Sequence, residues 1–156
     1  MRIRSSFGDT GQIMITLGIE TSCDETSLAL TDGTRVLSHS VTSSIDLHKD
    51  FGGVIPEIAC RYHVEYINHL LRDVLRKSKK SLDDVRLIAV TERPGLVGAL
   101  LIGISMAKAL GAAKRIPVIG VDHLLAHLYA AFMAGEHIEY PHIGMVVSGG
   151  HTGISE

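Results

Sequence analysis

The sequence contains no tryptophan, and phenylalanine and tyrosine together supply only 4% of its 156 residues, so the core has to be built from aliphatic side chains. Its two cysteines, Cys23 and Cys60, are too few for a disulfide framework and suit a reducing compartment. Neither sign of charge dominates. Fifteen Lys and Arg against seventeen Asp and Glu leave a net charge of -2, which excludes a strongly basic polyanion binder but leaves room for a local basic patch. No uninterrupted apolar run reaches the roughly 18–20 residues of a bilayer span. The longest, Leu96 to Leu110, is broken by Gly98, Gly103, Ser105 and Lys108, so no membrane association is expected. Met1 to Gln12 carries Arg2 and Arg4 but no apolar signal core; it reads as an extension, with Met14 as a natural start. A cytoplasmic protein is the expectation. What remains is ordinary globular composition, 46% hydrophobic and 21% charged, in a length that suits one compact domain.

The first third alternates with period two. Ile13 to Ile19, Ser27 to Thr31 and Arg35 to Thr42 read as strands, with Asp32-Gly33 as a hairpin turn, which makes an antiparallel meander. The period then changes. Ala59, Tyr62, Ile67, Leu70, Leu71, Val74 and Leu75 form the stripe of an amphipathic helix over Pro56 to Lys80, opened by proline and closed by basic residues. A buried-type strand follows over Leu87 to Thr91. Beyond Pro94-Gly95, Leu96 to Ala113 reads as a helix with Gly98, Gly103 and Ala107 permitting close packing on a sheet. Strand Pro117 to Val121, helix His123 to Ala134 and strand Ile143 to Val147 complete the order. The fold class expected is α/β: a three-strand meander, then alternating helices and strands, as in a ribonuclease-H-like lobe.

The last strand runs into Ser148-Gly149-Gly150-His151-Thr152 much as Ile15 to Glu20 runs into Thr21-Ser22, so it looks like a second beginning. The organisation expected is an extension over 1–13, a first lobe over 14–141 and the start of a second, absent lobe over 142–156. Ile143 to Val147 would then lack a partner sheet, leaving an apolar edge that dimerises or swaps, is disordered, or folds back onto the first lobe.

His123 and His127 are four apart on a helix, so both imidazoles can face one metal ion, with a third ligand from elsewhere; two solvated histidines on a polar face are the plainer alternative. Leu124 stands where a zinc peptidase needs a general-base glutamate. Gly149 and Gly150 let backbone N–H groups approach an anionic oxygen, although a Gly-Gly turn is also a common hairpin. In the turn Thr21 to Glu25, Asp24 and Glu25 could position a metal-bound water or an ammonium group, or simply be solvated. Cys23 has no nearby histidine in sequence to activate it. Gly52-Gly53, with Lys49 nearby, reads as a substrate loop or a plain connection. Arg72, Arg76, Lys77, Lys79, Lys80 and Arg86 are diluted by Asp73, Asp83 and Asp84 and read first as a solvated face.

Five stretches in order carry a resemblance: Gly18 to Thr26 (GIETSCDET), Gly52 to Ala59 (GGVIPEIA), Pro94 to Leu100 (PGLVGAL), His123 to His127 (HLLAH) and Val147 to Thr152 (VSGGHT). Together they resemble the TsaD/Gcp family, the tRNA threonylcarbamoyl transferases once described as O-sialoglycoprotein endopeptidases. The resemblance implies the first ribonuclease-H-like lobe of an actin/Hsp70/sugar-kinase (ASKHA) fold. It implies transfer of threonylcarbamoyl from threonylcarbamoyl-AMP to the amino group of the adenosine 3′ of a tRNA anticodon. It also implies a divalent metal ion on His123 and His127, iron or zinc ahead of magnesium, with its third ligand in the second lobe. Substrate contacts are implied at Val146, Val147, Ser148, Gly149 and Gly150, and TsaB-like and TsaE-like subunits as partners. No catalytic residue is assigned. Departures from the family pattern are Arg93 where Gly-Pro-Gly is usual, Leu125 where an acid is common, and the absent second lobe, without which the isolated chain is expected to be inactive. The alternatives are a non-catalytic TsaB-like assembly module, disfavoured by the paired histidines, and a metallopeptidase, disfavoured by Leu124.

Overall fold

A computed structural model describes residues 14–133, 141–147 and 152–155. Strands β1 (Ile15–Glu20), β2 (Glu25–Asp32) and β3 (Arg35–Ser43) form the meander. They are followed by α1 (Pro56–Ser78), β4 (Leu87–Arg93), α2 (Val97–Lys114), β5 (Val118–Asp122), α3 (His123–Met133), β6 (Gly144–Val147) and β7 (Thr152–Ser155). The main sheet has the order β3-β2-β1-β4-β5. β1 pairs antiparallel with β2 and parallel with β4, and β5 is parallel to β4. This is the ribonuclease-H-like arrangement expected from the element order. Two 3-10 turns, Ile45–Phe51 and Leu82–Asp84, were not legible as elements, being too short for periodicity to register.

Alternation along the strands separates two faces. Ile15, Leu17, Ile19, Leu28, Leu30, Ile88 and Val90 are buried on one, where α1 and α2 cover them with Ile67, Leu70, Leu71, Val74 and Ala107. Each such aliphatic side chain contributes about 1.5–3 kcal/mol on burial, so this face carries most of the stability. The opposite face carries Gly18, Ala29 and Ala89 side by side in register, a floor with almost no side-chain height. α3 starts directly after β5, so His123 stands at the carboxyl ends of the parallel strands, where open α/β sheets hold ligands.

The helix expected after Pro94 forms as α2, with Ala99, Gly103, Ala107 and Gly111 on its buried face, packed towards β1 and β4. Two expectations need correction. The interruptions of the apolar run do not keep this 18-residue helix from being long and apolar enough to cross a membrane by length and composition. The second correction concerns the last strand. β6 is not alone, because it pairs antiparallel with β7, Met145 opposite Ile154 and Val147 opposite Thr152. Thr152, expected in the turn, is the first residue of β7. The strand also folds back, as one of the alternatives had it: Gly144 lies against Leu128 of α3. Residues 1–13 lie outside the described part.

Candidate functional site

β1 ends on Glu20, whose position in the alternation turns its side chain to the open face of the sheet. Both carboxylate oxygens are engaged. The Ser22 backbone N–H donates to Oε1, and the Thr91 hydroxyl, from the end of β4, donates to Oε2. Burial alone would raise the pKa of this carboxyl group; the hydrogen bonds from Ser22 and Thr91 outweigh it and hold the pKa below the ordinary glutamate range. His123 Nδ1 lies 3.3 Å from Glu20 Oε2 and 3.3 Å from Ser22 Oγ. One helical turn on, His127 brings its Nε2 to 3.1 Å from His123 Nε2, the rings edge-on with centroids 4.4 Å apart. The two histidines thus share one side of α3 and face the sheet, as their spacing required.

A cavity of about 290 Å³ opens beside them, floored by Gly18, Ala29 and Ala89 and ended by Glu20, Thr91, His123 and His127. Its chemistry is an apolar floor with a polar end.

The loops around it are held by close backbone approach. Leu96 N–H donates to Ser22 O at 2.8 Å, drawing the Pro94-Gly95 bend onto the β1–β2 turn. A Cβ on Gly95 would lie 2.6 Å from that same carbonyl oxygen, so only glycine fits. Thr21 Oγ1 donates to Ala99 O at 2.8 Å and fixes the other side of the turn to α2. Asp122 receives the N–H groups of Leu124 and Leu125 on Oδ1, capping α3, and pairs through Oδ2 with Arg93 at 3.4 Å. Arg93 is therefore tied to the start of the histidine helix. Leu125 is 51% exposed and does not line the cavity.

The two imidazoles fit a divalent ion by their donor chemistry. Two nitrogens bound to zinc at about 2.0–2.1 Å lie roughly 2.9–3.4 Å apart for angles of 90–110°, a span that contains the 3.1 Å observed. Among the described residues no group of three His, Cys, Asp or Glu could hold a cation, so the pair offers at most two ligand atoms of such a site.

Other candidate residues lie apart from this cluster. Asp24 accepts from Ser43, and Glu25 is exposed at the start of β2. The Cys23 thiol has its pKa pushed up by burial and by Asp24, which keeps it protonated. Lys49 pairs with Asp46, and Gly52 is the left-handed cap of the Ile45–Phe51 turn. Lys77, Ser40 and Arg76 surround Asp73 and hold it well below the usual carboxylate range, so part of the basic cluster is already neutralised. Val146 is half-buried and Val147 exposed on β6, and neither lines the cavity. Ser148, Gly149 and Gly150 lie outside the described residues. Sequence reasoning missed Glu20, Ser22 and Thr91; the available signal was an acid closing an apolar strand next to a turn of small residues.

Comparison with known structures first defines the class. YeaZ from Pseudomonas aeruginosa matches with a TM-score of 0.59 at 24% identity, over 76% of this chain and 49% of its own. A protein described as similar to peptidase YEAZ from Pseudomonas aeruginosa matches at 0.62 and 21%, over 92% of this chain and 64% of its own. These likenesses establish the fold, a lobe of the ASKHA/ribonuclease-H-like class. Sequence comparison then establishes the family. The profile described as TsaD, tRNA N6-adenosine threonylcarbamoyltransferase, matches residues 35–155, and the chain belongs to that family. Relatives of that name from Dictyoglomus turgidum and Fusobacterium nucleatum are each 54% identical, over 89% and 90% of this chain. The chain spans 42% and 41% of their lengths.

Proposed function

We propose that this chain forms the first lobe of a tRNA threonylcarbamoyl transferase, working with tRNA and threonylcarbamoyl-AMP in the cytoplasm. In the reaction the adenosine amine attacks the threonylcarbamoyl carbon, a C–N bond forms, the C–O bond to phosphate breaks and AMP leaves. The observation that carries the reading is the pair of Nε2 atoms 3.1 Å apart at the polar end of an open cavity, in a chain of this family. His123 and His127 would hold the divalent ion, iron or zinc by their donor chemistry, with the third ligand from the remainder of a longer protein. Bound there, such an ion supplies Lewis-acid stabilisation of developing negative charge. The chain's own residues do the rest: Thr91 and Ser22 fix Glu20, Asp122 fixes the start of α3, and the small-residue floor admits the adenylate.

The domain reading belongs to this proposal, with a first lobe over 14–141 and a second beginning at 142. Substrate contacts at Val146, Val147, Ser148, Gly149 and Gly150 belong to it too, as do TsaB-like and TsaE-like partner subunits. A second copy of the chain would associate through the apolar face of β6 and β7, where Met145 and Ile154 are 64% and 70% exposed. The peptidase alternative gains nothing from Leu124, which offers no acid–base group.

The test is to join this chain to the remaining portion of the Dictyoglomus turgidum relative and measure threonylcarbamoyladenosine in tRNA by mass spectrometry. Product should form, and His123→Ala with His127→Ala should lower the rate by at least about 100-fold, the few kcal/mol that a Lewis acid contributes. Full turnover without both histidines would refute the assignment.

A further inference from the structure

We propose that Glu20 is a positioning residue: its carboxylate accepts the Nδ1–H of His123, fixes that ring in the Nδ1–H tautomer, and so turns the Nε2 lone pair towards His127 and a shared cation. The inference rests on the metal reading above and adds to it a residue outside the paired histidines.

The argument is one of hydrogen-bond accounting. An imidazole Nδ1 either donates or accepts. A lone pair on His123 Nδ1 would face a carboxylate oxygen at 3.3 Å, two acceptors opposed; a proton there meets an acceptor. Ser22 Oγ, also at 3.3 Å, can accept from the same N–H, so both neighbours are satisfied by one tautomer. Glu20 cannot readily turn away, because Ser22 N–H holds one oxygen from the β1–β2 turn and the Thr91 hydroxyl holds the other from β4. Three elements that meet only in the folded chain therefore dictate which nitrogen of His123 is free.

With Nδ1 protonated, His123 Nε2 carries a lone pair, and in the cation-free chain it accepts the Nε2–H of His127 across 3.1 Å. Cation binding then needs His127 alone to move its proton to Nδ1, since His123 is already in the ligating form. A carboxylate behind a ligating histidine also fixes the orientation of the ring, and loss of such a partner typically costs about 10–100-fold in metal affinity.

The decisive readout is the tautomer, which a merely structural role for Glu20 would not set. Long-range proton–nitrogen spectra of the ¹⁵N-labelled, metal-free chain, with the ring assigned from His123→Ala, should show His123 protonated at Nδ1. Glu20→Gln should move the proton towards Nε2 and raise the zinc dissociation constant by about 10–100-fold with the melting curve retained. Glu20→Asp, which keeps the charge, should recover part of both. If Glu20→Gln does not fold, Thr91→Val frees one carboxylate oxygen and should give a smaller change in the same direction. An Nε2–H tautomer in the wild-type chain overturns the proposal. So does Glu20→Gln with tautomer and zinc affinity unchanged. Zinc binding equally tight in His123→Ala would instead sink the metal reading, while the metal-free spectra still judge Glu20.

Discussion

His63 shows what one side chain can hold in place. It is 0% exposed in α1, its Nδ1 lies 2.7 Å from Thr26 Oγ1, and its Nε2 lies 3.0 Å from Cys23 O. A carbonyl only accepts, so Nε2 donates to it and Nδ1 accepts the threonine hydroxyl. The neutral ring is complete, and a second proton would leave Thr26 without an acceptor. Burial lowers the pKa of His63 below its ordinary 6.5. The sign follows from linkage: between the folded and unfolded pKa values the unfolded chain binds more protons, so this contribution is intact above about pH 6.5 and lost as pH falls towards the folded value. Urea unfolding should therefore show stability decreasing below about pH 6.5. Thr26→Val, which leaves Nδ1 unsatisfied, should cost about 1–3 kcal/mol at pH 7.5. Stability indifferent to Thr26→Val would show that the hydroxyl is not the partner. The position was not legible as a core residue, because a histidine one residue beyond Tyr62 reads as polar until its two partners, from a strand and a turn, are known.

At the scale of elements the alternation of the strands and the stripe of α1 were plain, since each is set by local period. The site was half legible for the same reason. His123 and His127 lie within one helical turn and declare themselves by spacing, whereas Glu20, Ser22 and Thr91 come from β1, its turn and β4, and meet only through parallel pairing of β1 with β4. Asp24 and Glu25 drew attention instead because they sit in the turn, yet strand alternation already puts Glu20 on the open face of the sheet, opposite to that of Ile19. The Pro94-Gly95 bend is the element-scale device that keeps this junction closed. Gly95→Ala would put a Cβ 2.6 Å from Ser22 O and force apart the bend and the turn. We expect a loss of about 1–3 kcal/mol in denaturant unfolding, as for other overpacked contacts, together with weaker zinc binding as Ser22 and Glu20 shift. Unchanged stability and unchanged zinc affinity would mean that the two loops do not depend on each other.

For the whole molecule, the sheet buries one face under α1 and α2 and leaves the other with a low floor and a histidine pair at its rim. The order of elements was enough to foresee a ribonuclease-H-like lobe, but not the pairing of β6 with β7, because Gly149-Gly150 reads in sequence equally as a hairpin and as an anion cradle. The central claim is that His123 and His127 together ligate one divalent ion. X-ray absorption at the zinc edge, on the chain loaded with one equivalent of zinc, addresses it most directly. Two imidazole nitrogens at about 2.0–2.1 Å in the first shell are expected, both lost in His123→Ala with His127→Ala. A first shell of oxygen alone, or imidazole scattering that survives removal of both histidines, would contradict it.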